Sequence, residues 1–328
     1  MRRRDFIGIV AGSTAAWPLV ARAQRQQVKT VGILLPGTAE DPVFQARLAA
    51  FYQELALLGW TIGRNVRIEP HWATPNAAEL RRHTQELVAL APDVILATGD
   101  STVPLLLQAT HTIPVVFPLA GDPVGAGFVE SLARPGGNAT GFMLFEYTMG
   151  GKWLELLKEI APKVARVAVL RDPANPSQAA QFGAMRAVAP ALGVEIVPIN
   201  VRDASELERG VADFARSGNG GLIPTSSALA LRHRDLIITL AAEHKLPAIY
   251  WERFFVTNGG LMSYGPDLID NYRRAAGYVD RILKGEKPGD LPVQTPTKYE
   301  MAIDLKTAKA LGLSVPLGMQ QRADEIIE

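Results

Sequence analysis

The sequence predicts an α/β fold of two similar lobes, each built on a parallel sheet with helices on both faces. Three observations carry that expectation. Short apolar runs rich in valine, isoleucine and leucine alternate with amphipathic stretches, the pattern of buried parallel strands joined by helices. The 328 residues are about twice an ordinary domain. The chain also repeats itself in order: Val31–Leu35 matches Val167–Arg171, Leu58-Gly59 matches Leu192-Gly193, Asn76–Leu80 matches Asp203–Leu207, and His111–Phe117 matches His244–Tyr250. One short match is weak; an ordered series is a duplicated unit.

In chain order, Val28–Leu35 reads as a buried strand closed by Pro36-Gly37-Thr38. Val43, Phe44, Leu48, Phe51, Leu55 and Leu58 then fall at helical spacing, and Gly59 ends that helix. Val66–Pro70 is a second strand, Asn76 caps a helix to Leu90, and Asp93–Ala97 is a third strand. Thr98-Gly-Asp-Ser-Thr102 follows, then a short helix and the strand Val115–Phe117. Gly121-Asp122-Pro123 ends that strand, and Phe128, Val129 and Leu132 are at helical spacing until Arg134-Pro-Gly-Gly-Asn138 breaks it.

From Phe142 to Gly151 the pattern lapses, as expected of a crossing between lobes, and a helix begins at Trp153. The second lobe repeats the first: strands at Val167–Leu170, Val194–Pro198, Gly221–Pro224 and Ala248–Tyr250, with helices from Ser177, from Ser205 and up to His244. Gly259–Pro266 reads as a second crossing, Leu268–Leu283 as a returning helix, and Pro288–Pro296 as a stiff third connector. The expected division is 24–143 plus 260–291 for the first lobe and 144–259 plus 292–328 for the second.

Residues 1–23 stand apart. Arg2-Arg3-Arg4, the mostly apolar run Phe6–Val20 and Ala21-Arg22-Ala23 form a removable export signal, and the paired arginines ahead of Asp5-Phe6-Ile7 resemble a twin-arginine signal; Sec export is the other route. The apolar run is shorter than the roughly 18 residues a membrane span needs. The mature chain is expected to be soluble in the periplasm.

Composition narrows the chemistry. A net charge of +1 gives no basic stripe for nucleic acid. Cysteine is absent, so there is no disulfide, thiolate site or thiol nucleophile. Gly99-Asp-Ser-Thr-Val103 lacks the last glycine of a nucleophile elbow, Gly125-Ala-Gly127 does not extend to a dinucleotide fingerprint, and Glu146 stands where a phosphate loop before Gly151-Lys152 needs its first glycine. The five histidines show no i,i+4 pair, which favours surface or capping roles over a metal site. Nothing argues for an enzyme.

Ile113-Pro-Val-Val-Phe, Gly121-Asp-Pro-Val-Gly-Ala-Gly, Leu132-Ala-Arg-Pro-Gly-Gly-Asn, Leu246-Pro-Ala-Ile-Tyr, Gly260-Leu-Met-Ser-Tyr-Gly-Pro and Leu305-Lys-Thr-Ala-Lys-Ala-Leu-Gly together resemble one family of ABC-transporter substrate-binding proteins, over essentially all of residues 29–328. The resemblance implies the type I periplasmic-binding-protein fold: two Rossmann-like lobes, three hinge segments, and a solute held between them for delivery to an inner-membrane permease. Some members bind aromatic amino acids. A monomer is expected, with no cofactor and no nucleic acid. A sensory module for a membrane receptor is the second reading, and an exported hydrolase with a base beside Ser101 or Ser226 the third.

In such a fold equivalent loops face each other. Thr38 would oppose the Arg171–Asn175 turn, Gly99–Thr102 would oppose Thr225–Ser227, and Gly121–Pro123 would oppose Trp251-Glu252. Helix-start amides and hydroxyls at Ser101, Thr102, Ser226 and Ser227 suit a carboxylate. Asp122, Glu252 or Asp267 would hold an ammonium, and Trp251 or Tyr264 would stack on a ring or cation. Each has a plainer use: the serines as caps, Asp122 as the lock of its turn, Trp251 and Tyr264 as core. Asp100 departs from the family pattern, where small neutral residues are usual; a carboxylate there favours an amine-bearing or neutral solute.

Overall fold

The computed structural model of the chain describes residues 28–328 other than Pro75, Tyr147, Ala174 and Pro176; the expected export signal lies outside the described residues. The first lobe runs β1 (Lys29–Leu35), α1 (Pro42–Leu57), β2 (Val66–Trp72), α2 (Ala77–Ala89), β3 (Val94–Ala97), α3 (Val103–Ala109), β4 (Val115–Ala120) and β5 (Ala139–Met143). These strands form one parallel sheet in the order β2-β1-β3-β4-β5. Val31, Ile33, Leu34 and Leu35 of β1 are fully buried because helices cover both faces, so the strand reads as a continuous apolar run. Asp41 caps α1 by accepting from Val43 N at 2.9 Å, with Pro42 at the first helical position, where its missing N–H costs nothing. Asn76 caps α2 in the same way.

Two expectations in this lobe are corrected. Residues 122–138 form no helix, although Phe128 and Val129 are buried as their spacing implied. The segment is a chain of turns: Ala126 N donates to Asp122 O, Phe128 N to Pro123 O, and Gly127 takes a φ of +73°. The supposed crossing at Phe142 also hides β5, whose Gly141 lies so close to Phe117 that a side chain there would meet the Phe117 carbonyl. A strand containing Thr140-Gly141 lacks the β-branched apolar run by which the other strands announce themselves.

The second lobe runs α4 (Met149–Ile160), β6 (Arg166–Arg171), α5 (Gln178–Val188), β7 (Glu195–Asn200), α6 (Ala204–Ala215), β8 (Gly220–Pro224), α7 (Ala228–Arg232), α8 (Arg234–Glu243), β9 (Ile249–Tyr250) and α9 (Arg253–Thr257). The helix expected to reach His244 is broken at His233, which ends α7 and opens α8. β10 (Met262–Pro266), α10 (Leu268–Leu283), β11 (Tyr299–Asp304), α11 (Leu305–Ala310), α12 (Leu317–Arg322) and β12 (Glu325–Ile327) complete the chain. One sheet has the order β7-β6-β8 and a second β12-β11-β10-β9, linked by a bridge between Leu222 and Ala248. β10 is parallel to β9 and antiparallel to β11.

The chain passes between the lobes in three places. After β5 it reaches α4. From β10 it returns through Asp267 to α10, which packs along α1 and over β4. Gln294 then bridges beside Phe142 at the edge of the first sheet before the chain enters β11. Residues 262–266 pair with β9 and β11, and α10 after them packs on α1 and β4. Asp267 caps α10 by accepting from Ile269 N and Asp270 N.

Candidate binding cleft between the lobes

The loops after β1, β3 and β4 of the first lobe and after β6, β8 and β9 of the second converge on a cavity of about 690 Å³. This is where ligands bind in open α/β sheets, beyond the carboxyl ends of the strands, and the volume is that of a small-molecule site. Its walls are largely apolar, with Phe44, Leu105 and Leu119 from one lobe facing Leu229, Leu231 and Trp251 from the other. Trp251 is held edge-on to Phe255, ring centroids 4.6 Å apart.

Ion pairs join the lobes across this space. Arg47 Nη2 of α1 donates to Glu252 Oε1 at 2.7 Å, and Arg234 Nη1 of α8 donates to Asp41 Oδ2 at 2.8 Å. Both pairs are largely shielded from water. Burial works against the Arg47 charge, but Glu252 and the Tyr272 ring beneath it hold its pKa above the usual value. The Tyr272 hydroxyl in turn meets Thr98 Oγ1 at 2.5 Å.

Polar groups interrupt the apolar walls at a few points. Burial pushes the Asp100 carboxyl pKa up, while Gly121 N, at 3.1 Å from Oδ1, and the Ser177 and Asn175 side chains of the opposite lobe favour the ion. Among the described residues Ser101 Oγ, Gln181 Oε1 and Glu252 Oε2 are buried without a hydrogen-bond partner, and all three residues line the cavity. Gln178 braces the site: its Oε1 accepts from Asp172 N at 2.8 Å and its Nε2 donates to Ser226 O at 3.0 Å.

Of the residues singled out from sequence, Asp100, Ser101, Asn175, Ser226, Ser227, Trp251 and Glu252 line this cavity. Ser227 also caps α7, accepting from Ala230 N. The other five sit elsewhere. Thr102 is fully buried and donates to Thr98 O; Asp122 accepts from Gly125 N within its own turn. Tyr264 stacks on Tyr299 at 5.7 Å, Asp267 caps α10, and Thr38 lies exposed beyond the rim. The facing loops also differ from the simple repeat: Asp100 meets Asn175 and Ser177, and Glu252 meets α1. Sequence reasoning passed over Arg47 and Gln181. Arg47 carried a readable signal, being a charge on the buried stripe between Phe44 and Phe51.

Two α/β lobes that close on a shielded cleft, with chain crossings at one edge, define a solute-binding protein. The chain belongs to the ABC transporter substrate binding protein family, whose model matches residues 37–327. A tyrosine-binding protein of Clostridioides difficile (strain R20291) is 26% identical over 292 residues, covering 89% of this chain and 83% of the relative. Among solved structures, the ABC domain in complex with L-Trp from Streptococcus pneumoniae matches with a TM-score of 0.85 at 22% identity, over 91% of this chain and 99% of that one. The ligand-free, open structure of CD0873, a substrate binding protein with adhesive properties from Clostridium difficile, gives 0.67 at 25% identity, over 92% and 99%. These relatives are binding proteins, not enzymes. Among the described residues no helix is long and apolar enough to cross a membrane.

Proposed function

We propose that this protein is exported to the periplasm, captures an amine-bearing solute of the aromatic amino-acid class, and delivers it to an inner-membrane ABC permease. The observation that carries the solute class is the pairing of apolar walls with the Asp100 carboxylate and with Glu252 Oε2, which has no partner although Oε1 is held by Arg47. A carboxylate buried against its own solvation seeks a cation or a dense set of donors. An ammonium supplies both. Phe44 and Trp251 offer faces for a ring, and the tyrosine and tryptophan named for two relatives fit the same chemistry.

Ser101, Ser226 and Ser227, with the backbone at the starts of α3 and α7, are assigned the ligand's other polar group, a carboxylate in an amino acid. Thr38, Thr102, Asp122, Tyr264 and Asp267 are assigned support of loops, hinge and caps rather than contact. The chain works as a monomer, since each lobe supplies the other's missing wall. The test is calorimetric titration of the mature protein with L-tyrosine, L-tryptophan, L-phenylalanine and their deaminated acids, alongside mass spectrometry of whatever co-purifies without refolding. Binding of the amino acids but not of the acids is expected. Equal binding of both series would remove the ammonium assignment.

A further inference from the structure

Away from the cleft, His71 near the end of β2 and His83 and Glu86 on α2 bring three potential metal ligands together. His71 Nδ1 lies 3.1 Å from His83 Nδ1, and Glu86 Oε2 lies 3.4 Å from His83 Nδ1 and 3.8 Å from His71 Nδ1. A tetrahedral ion with bonds of roughly 2.0–2.2 Å holds its donors about 3.3–3.6 Å apart, so the triangle already has nearly the size of one face. The rings are set edge to face, 5.4 Å between centroids at 78°. Both histidine side chains are largely shielded, while Glu86 is open to water on one side.

Two imidazole nitrogens at this separation are compatible only as one donor and one acceptor, or as joint ligands of a cation. Arg82 bridges the group, its Nη2 3.1 Å from His83 Nε2 and its Nη1 donating to Glu86 Oε1 at 3.0 Å, and Glu79 Oε1 lies 4.0 Å from the same His83 nitrogen; ligation through His83 Nδ1 puts the proton on Nε2, so the exposed Arg82 Nη2 must turn away from it while its bond to Glu86 Oε1 leaves Oε2 for the ion. No spacing rule found this group, because one ligand comes from a strand and two from a helix.

We propose that His71 Nδ1, His83 Nδ1 and Glu86 Oε2 form a site for a divalent transition ion, best matched by Zn²⁺, with water completing the tetrahedron on the open side. Two nitrogens and one carboxylate oxygen select a borderline ion over Mg²⁺ or Ca²⁺, which prefer all-oxygen shells, and over Cu(I), which prefers thiolate. The ion would pin α2 to β2. α2 also carries Ala77 and Leu80 into the cleft wall, and Trp72, next to His71, packs edge-on against Phe44.

The test is titration of the untagged, chelator-stripped mature chain with ZnCl₂ by calorimetry and with Co²⁺ by visible absorption. One equivalent should bind, with the intense d–d bands of a tetrahedral Co²⁺ centre. His71→Ala and His83→Ala should each weaken Zn²⁺ binding at least tenfold and abolish those bands; Glu86→Gln should weaken it several-fold, and His111→Ala should leave it unchanged. Circular dichroism melts identify a variant that fails to fold, and His71→Gln, which keeps a polar group of similar length, stands in if His71→Ala does. The absence of saturable binding up to 1 mM metal, or one-equivalent binding that survives a folded His71→Gln, overturns the site.

Discussion

Arg47 and Glu252 form a salt bridge of 2.7 Å whose partners belong to different lobes, 205 residues apart in the chain. Separating them leaves one buried charge unpaired, a loss of about 3–5 kcal/mol for the closed arrangement. Arg47→Met should therefore weaken solute binding and enlarge the radius of gyration of the solute-loaded protein in small-angle scattering. Arg47→Met combined with Glu252→Leu should recover part of the compact form, since no lone charge remains. A single variant that scatters and binds like the parent would show that this pair does not hold the lobes together.

Asp100→Asn separates solute binding from stability. Burial raises the folded-state pKa of Asp100 above its unfolded value, so the folded protein holds this proton more tightly. The group's contribution to stability is then fully present below the unfolded pKa and is lost as pH rises through the folded one. Asp100→Asn should flatten that fall and hold or raise the ligand-free melting temperature at neutral pH. If the carboxylate pairs with a solute ammonium, the same change should cost about 2–5 kcal/mol in binding. A lower ligand-free melt with unchanged affinity would reverse both assignments.

Gly265 of β10 sits where a Cβ would lie 1.8 Å from the Trp251 carbonyl. Gly265→Ala must push β10 away from the segment that carries Trp251 and Glu252. Overpacking of this kind costs ~1–3 kcal/mol. The melting temperature should fall, and affinity should fall further than for Gly277→Ala, at a helical position with open space for a side chain. Parity between the two variants would mean that β10 does not set the position of the Trp251 loop.

Export is tested in cells. Arg3→Lys together with Arg4→Lys should trap the precursor in the cytoplasm if the twin-arginine route is used, seen as an unprocessed band on fractionation. Processing at the normal rate would assign the protein to the Sec route.

The strands and most helices were legible because burial on both sides of a parallel sheet writes long apolar runs, as at Val31–Leu35 and Val167–Leu170. β5 was not, since Ala139-Thr140-Gly141 is shaped by close approach to β4 rather than by side-chain hydrophobicity. The turn segment 122–138 imitated a helix because Phe128 and Val129 are buried from a coiled loop. The cleft loops that carry Asp100, Ser101, Asn175, Ser226, Ser227, Trp251 and Glu252 could be read by pairing the repeats. The remainder could not, because Arg47 and Gln181 reach the cavity from helix faces, and the histidine pair depends on which turn of α2 lies beside β2.

The burial of Asp100 bears on the unloaded protein as much as on the loaded one. The ion pairs at Arg47 and Arg234 need no cargo to form, so on their own they would favour a shut but vacant form. A transporter that reads only shape would then be offered empty carriers. Asp100 opposes this: in the shut form without a counter-ion, its carboxylate must either take up a proton or remain ionised against its surroundings. The ammonium of the proposed solute would remove that penalty as it enters. If the solute carries that ammonium, latch and carboxylate together would act as a coincidence gate, in which the mechanical signal of closure is favoured when the seat is filled and suppressed when it is not.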